Sequence, residues 1–229
     1  MDREMIFTAD QAAADAVTSA QMKEIERNAD AAGLSYYQMM ENAGSGAAEM
    51  IASEHSVERK TVLIFCGRGN NGGDGFVAAR KLAEKGAAVR LLLVEGEPRT
   101  EDAIKNRQLC RDMAISVSDF PESLETGLFA DIEAADLIVD AIYGTGFHGS
   151  LRGPARTAAR LINRSKAAVY ALDIPSGLNA DTGEADEDTV RAGCTIVFHR
   201  LKPAHANEAG VRYCGRIACI SIGIEAVLK

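Results

Sequence analysis

The sequence predicts an α/β fold: a three-layer αβα arrangement around a doubly wound, mainly parallel, Rossmann-like sheet, preceded by N-terminal helices. Three observations predict it. From Thr61 onward, short apolar runs alternate with helical segments. The runs are apolar throughout, not at every second position, as strands buried on both faces require. Several of them end on Asp or Gly-rich turns, where sheets of this kind bind ligands beyond the carboxyl ends of their strands.

The elements follow in order. Residues 1–17 form an extension ahead of a domain over 18–229; within it the Ala-rich stretch Ala9 to Val17 reads as a short helix or a loose tail. Thr18-Ser-Ala-Gln21 has the form of a capping box, and Met22, Ile25 and Ala29 recur at helical spacing up to Gly33. Ser35 caps a second helix, whose buried stripe is Met39 or Met40, Ala43, Ala47 and Met50-Ile51, ending near His55. Strands are expected at Thr61–Cys66, Ala88–Val94, Ile115–Val117, Leu137–Ala141, Ala168–Asp173, Cys194–Phe198 and Ile217–Ile222. The helices between them are expected at Phe76–Lys85, stopped by Gly86, at Glu101–Met113, after Pro121, and at Pro154–Asn163 with proline in its first turn.

Composition narrows the function. The chain has 229 residues, 47% of them hydrophobic, enough for one sizeable core. Its formal net charge of −8 and the lack of any Lys/Arg run argue against nucleic acid as a partner. No stretch approaches the ~20 apolar residues of a membrane span. The five cysteines form no CxxC pair, which suggests a reducing, cytoplasmic setting; Cys66 and Cys194 read as small core residues.

Three turns carry the polar chemistry: Gly67–Gly75, with Asn70, Asn71 and Asp74 among its glycines; Asp140 to Gly146, continuing to Gly153; and Asp173 to Asn179. Glycines at this density suggest positive φ and backbone N–H groups brought against a ligand, ahead of a helix start that favours an anion. All three turns follow strands, so they should share one rim of the sheet.

Taken together, G-x-GNNGGDG, VDA-x-x-GTG with RGP, and DIPSGLNADTG resemble the NAD(P)H-hydrate epimerase family over roughly Thr18 to Ile224, and TSAQM and MENAG (Met40 to Gly44) resemble its opening. The resemblance implies an isomerase that interconverts the R and S forms of hydrated NADH and NADPH (NADHX and NADPHX) for cofactor repair. It implies a homodimer, with a dehydratase as a possible separate partner, since a fused dehydratase is not expected within this chain. By resemblance, Asn70, Asn71, Gly72, Gly73, Asp74, Gly144, Thr145, Gly146, Phe147, His148, Gly149, Ser150 and Asp173 line the substrate site. A potassium ion is expected at Asn71, Asp140 and Ser176. Amide, carboxylate and hydroxyl oxygens are hard ligands, and no Cys or His accompanies them. The segment Phe198-His-Arg-Leu-Lys-Pro203 departs from the family, which commonly carries Phe-Gly before Lys-Pro.

In the hydrate, C6 bears both a hydroxyl and the ring nitrogen. An acid that protonates the leaving hydroxyl lets nitrogen stabilise a cation, and water returns to the opposite face. Asp173, at a strand end before Pro175, is the expected general acid/base. Ring opening to an aldehyde is the other route.

Other readings remain open at this stage. Asp74 could cap a helix, and Asp140 and Asp173 could brace turns. Gly67 to Gly72 matches G-x-G-x-x-G and Glu95 closes the next strand, which would suit an NAD-dependent dehydrogenase. A noncatalytic nucleotide-binding or protein-interaction module is the third reading. Thr145 and Ser176 lack the G-x-S-x-G context of a nucleophile. His148 lies in the binding loop, whereas His55, His199 and His205 read as surface or helix-end residues.

Overall fold

Thr61–Cys66 (β1) is apolar after its first residue because it has two cores to serve. Val62, Ile64 and Cys66 point into one apolar cluster, and Leu63 and Phe65 into another across the sheet. The computed structural model describes residues 16–121 and 126–228. The other strands are β2 (Ala88–Leu93), β3 (Ser116–Asp119), β4 (Leu137–Ala141), β5 (Ala168–Leu172), β6 (Cys194–Phe198) and β7 (Arg216–Ile220). They form a seven-stranded sheet in the order β3-β2-β1-β4-β5-β6-β7, parallel at every pairing. Chain order reverses between β1 and β4, so the crevice beyond their carboxyl ends is the natural ligand site.

Helices cover both faces. On one lie α1 (Ser19–Ala31), α2 (Tyr36–Glu54), α3 (Asn70–Glu84) and α4 (Glu101–Asp112), which contribute Met22, Ala47, Phe76 and Cys110 to the first cluster. On the other lie α5 (Thr126–Ala134) and α6 (Gly153–Arg164), which contribute Ile132 and Ile162 to the second. A short α7 (Glu208–Tyr213), absent from the expected elements, precedes β7. The Thr18 capping box and the Ser35 cap are both present. Among the described residues no helix is long and apolar enough to cross a membrane. The expected Ala9–Val17 helix lies outside the described residues except for Ala16 and Val17, which are not helical; the Val17 amide donates to the Leu201 carbonyl at 2.8 Å.

Four expectations need correction. The expected loop Gly67–Gly75 is mostly helix, because α3 starts at Asn70 and not at Phe76. None of Gly67, Gly69, Gly72, Gly73 and Gly75 has positive φ. What these residues permit is close approach: a Cβ on Gly67 would lie 1.9 Å from the Ile142 carbonyl oxygen, and one on Gly72 2.1 Å from that of Gly67. Second, β7 stops at Ile220, since Ser221 begins a turn closed by the Gly223 amide at 3.1 Å, with Gly223 at φ 94°. Third, Asp173 is not strand but the first residue beyond β5, at φ 63°. Fourth, His199 and His205 are buried, not at the surface, each held by a specific polar partner; His55 does cap α2 at its carboxyl end.

Candidate active site at the switch point of the sheet

The turns after β1 and β4 touch through backbone. The Gly67 amide donates to the Ala141 carbonyl at 3.0 Å, and the absence of side chains at Gly67 and Gly72 lets α3 begin directly above that contact. A cavity of about 710 Å³ opens there. Of the residues named from sequence, Asn70, Asn71, Asp74, Gly144, Thr145, Gly146, Phe147 and Asp173 line it. Gly72 and Gly73 do not; they are buried in helix packing, Gly73 against Met40. His148, Gly149 and Ser150 lie outside it and are exposed, with His148 Nδ1 3.1 Å from the Asn179 amide nitrogen.

Asp173 is built into the site by its neighbours. Its amide donates to the Ile196 carbonyl at 2.7 Å, and its own carbonyl accepts from His205 Nε2 at 3.0 Å. The Lys202 amide donates to His205 Nδ1 at 2.9 Å, which fixes the ring as the neutral tautomer protonated at Nε2. Burial pushes the His205 pKa down to about 4, so the ring stays neutral in the fold. These bonds hold Asp173 in a left-handed conformation, which costs a non-glycine residue about 1 kcal/mol or more and is found preferentially at functional sites.

The Asp173 carboxylate has a counter-ion that sequence reasoning missed. Lys202, only 1% exposed, donates from Nζ to Asp173 Oδ1 and also to the Phe198 carbonyl at 3.2 Å. The Phe198 amide adds a donor to Oδ1 at 3.3 Å. The Lys-Pro pair after β6 was the available signal, but nothing local to it indicates burial. Glu26 on α1 was missed too. It lines the same wall, and burial, followed by the charge on Asp173, raises its carboxyl above the usual range.

The proposed cation ligands lie deeper. Asp140 has no exposed surface and sits beneath the cavity, not on its wall. Ser176 Oγ donates to Asp140 Oδ1 at 2.6 Å, the Ser176 amide to Oδ2 at 2.8 Å, and the Ile142 amide to Oδ1 at 3.2 Å. None of these donors is a charged side chain, and burial outweighs them, raising the Asp140 carboxyl to about 6. Asn71 presents its amide against Gly144, and its Nδ2 is buried with no hydrogen-bond partner among the described residues. No cluster of three or more His, Cys, Asp or Glu able to hold a metal occurs among the described residues, so this set offers one carboxylate with neutral oxygens around it.

The far end of the cavity is polar in another way. Tyr143 donates to Glu95 Oε1 at 2.7 Å, and Arg68 and Arg99 line the same region. The near end is closed by α1. Ser19 donates to Asp181 Oδ1 from its amide at 2.7 Å and from Oγ at 3.0 Å, and Oγ also lies 3.3 Å from the Thr145 carbonyl.

Comparison with known proteins agrees with this architecture. The family described as YjeF-related protein N-terminus matches residues 36–204. The chain is similar to a bifunctional NAD(P)H-hydrate repair enzyme of Archaeoglobus fulgidus, 43% identical over 91% of this chain but 41% of that protein. It is also similar to an NAD(P)H-hydrate epimerase of Rhodopirellula baltica, 38% identical over 88% of this chain and 83% of that protein. The chain thus spans about two fifths of the length of the bifunctional relatives it matches. Among solved structures, yeast ynu0 superposes with a TM-score of 0.76 at 22% identity, covering 90% of this chain and 87% of the other, which bears on the fold alone. With the family match spanning 36–204 and an epimerase relative matched along most of its own length, the chain belongs to the YjeF N-terminal, NAD(P)H-hydrate epimerase, family.

Proposed function

We propose that this protein is an isomerase that interconverts the R and S epimers of hydrated NADH and NADPH, so that damaged cofactor of either configuration can be repaired. The observation that carries the reading is the convergence of Asp173 with Asn70, Asn71, Asp74 and Gly144 to Phe147 on one cavity at the switch point. The start of α3, where Gly69 gives no side-chain cap and Asn70 and Asn71 line that cavity, suits a pyrophosphate. Asp173, paired with Lys202, supplies the negative charge that a cationic nicotinamide intermediate needs.

The residues present fit a monovalent cation. One buried carboxylate without a basic partner, a hydroxyl bonded to it and the Asn71 side-chain oxygen beside Gly144 are a hard ligand set lacking one positive charge. Asn71, Asp140 and Ser176 would hold potassium. When bound, the ion would neutralise Asp140 and tie the turns after β1, β4 and β5 together. The substrate pair NADHX and NADPHX, a homodimeric assembly and a separate dehydratase partner belong to the same reading.

The test is direct. Purified S or R epimer of NADPH hydrate is incubated with the protein and the epimer ratio is followed by chromatography. Acceleration of exchange well above the spontaneous rate is expected. Exchange at the spontaneous rate, with the nucleotide still bound, would favour a noncatalytic binding module and remove the epimerase reading.

A further inference from the structure

Inversion at C6 by loss and return of water is served more directly by two carboxyl groups than by Asp173 alone. The hydroxyl leaves one face of the ring and water enters at the other, so a proton must be delivered on one side and removed on the opposite side. Inverting glycoside hydrolases meet the same demand with two carboxyls. Asp173 is poorly placed to be both. Its Oδ1 already accepts from the Lys202 ammonium and the Phe198 amide.

Asp74 differs in each respect. It comes from α3, whereas Asp173 comes from the turn after β5, so the two carboxyls enter the cavity from separate elements. Among the described residues no donor bonds to the Asp74 carboxyl. It needs no turn to brace and no helix end to cap, since α3 begins four residues earlier. The charged groups that face it are Asp173, Glu26 and Lys202. Burial above all, and the charges on Asp173 and Glu26 against that of Lys202, hold its carboxyl well above the ordinary range. Two carboxyls with unlike environments are the usual basis for dividing acid from base.

We propose that Asp74 is a second catalytic group of the epimerase, the acid that protonates the departing C6 hydroxyl while Asp173 receives the proton of the water that returns. The proposal rests on the epimerase reading. In the forward step the C6–O bond breaks, the Asp74 proton passes to the hydroxyl to release water, and the ring-nitrogen lone pair forms an iminium. Water then bonds to C6 from the other face, the electron pair returns to nitrogen, and a proton passes to Asp173. Transfer of that proton from Asp173 to Asp74 resets the site. The reverse reaction exchanges the two roles. No proton is gained or lost overall, and one oxygen from solvent replaces the original.

The experiment compares wild type with Asp74→Asn and Asp74→Glu in water enriched in oxygen-18, starting from one pure epimer, with ADP-ribose binding measured by calorimetry. Wild type should incorporate one labelled oxygen per inversion. Asp74→Asn should lose ~100-fold or more in kcat, the usual contribution of general acid catalysis, with KM and ADP-ribose affinity within about threefold of wild type. Asp74→Glu should recover part of the rate. If wild type exchanges epimers but Asp74→Asn keeps kcat within about threefold, or loses only in KM, Asp74 is not the acid. Inversion without label would mean ring opening and would also overturn the proposal. Absence of exchange in wild type would instead overturn the epimerase reading beneath it.

Discussion

Lys202 reaches Asp173 from 29 residues along the chain, and the pair is buried at the cavity floor with the ammonium only 1% exposed. Removing one member strands the other. Lys202→Met should therefore cost about 3–5 kcal/mol, measured by urea unfolding, and the double variant Lys202→Met, Asp173→Asn should be more stable than Lys202→Met alone. A Lys202→Met protein within about 0.5 kcal/mol of wild type would show that the pair does not bear on stability.

The glycines around the switch point should not be equivalent. A methyl group at Gly67 or Gly72 meets backbone carbonyl oxygen that cannot yield, whereas one at Gly69 meets nothing within 4 Å. Gly72→Ala is expected to destabilise by about 3 kcal/mol or more, at or beyond the top of the usual overpacking range. Gly69→Ala should stay within about 0.5 kcal/mol. Thermal melts of the two variants side by side decide the matter; equal losses would contradict the packing account.

Potassium should stabilise the fold through the buried Asp140. At constant ionic strength, replacing a bulky organic cation by K⁺ at tenfold its dissociation constant should add about 1.4 kcal/mol. Ser176→Ala and Asp140→Asn should each abolish that dependence. Melting curves in the two salts that coincide for wild type would argue against a cation at this place.

His205 makes a prediction about acid. Its folded pKa of about 4 lies below the 6.5 of an unhindered imidazole. The unfolded chain therefore takes up the proton first, and stability should fall as pH drops from about 6.5 to about 4. The loss should total roughly 3 kcal/mol at the lower end. His205→Gln, which can keep both a donor and an acceptor, should be less stable at pH 7 but should show a shallower fall over that window. An equally steep fall in the variant would place the acid sensitivity elsewhere.

Much of the fold is legible in the sequence because burial on two faces writes itself as unbroken apolar runs. β1, β4 and β6 have the boundaries that their runs predict. β3 is harder to see: Ser116–Asp119 is an edge strand with half-exposed or exposed positions, so its composition carries little signal. The start of α3 is obscured by glycines that normally disfavour helix, and what explains them is close approach: of Gly67 to Gly72, of Met40 to Gly73 and of Ala141 to Gly75. At the site, the three polar turns are visible because each follows a strand. Lys202, His205 and Glu26 are not, since their roles depend on partners remote in sequence. A histidine or lysine far from any motif reads as surface until its acceptor is known.

The family match begins at residue 36, yet Met22, Lys23 and Glu26 of α1 face the cavity, and Ser19 fastens that helix to Asp181 and Thr145. A fragment begun at residue 36 would keep every strand of the sheet and lose one side of its vessel.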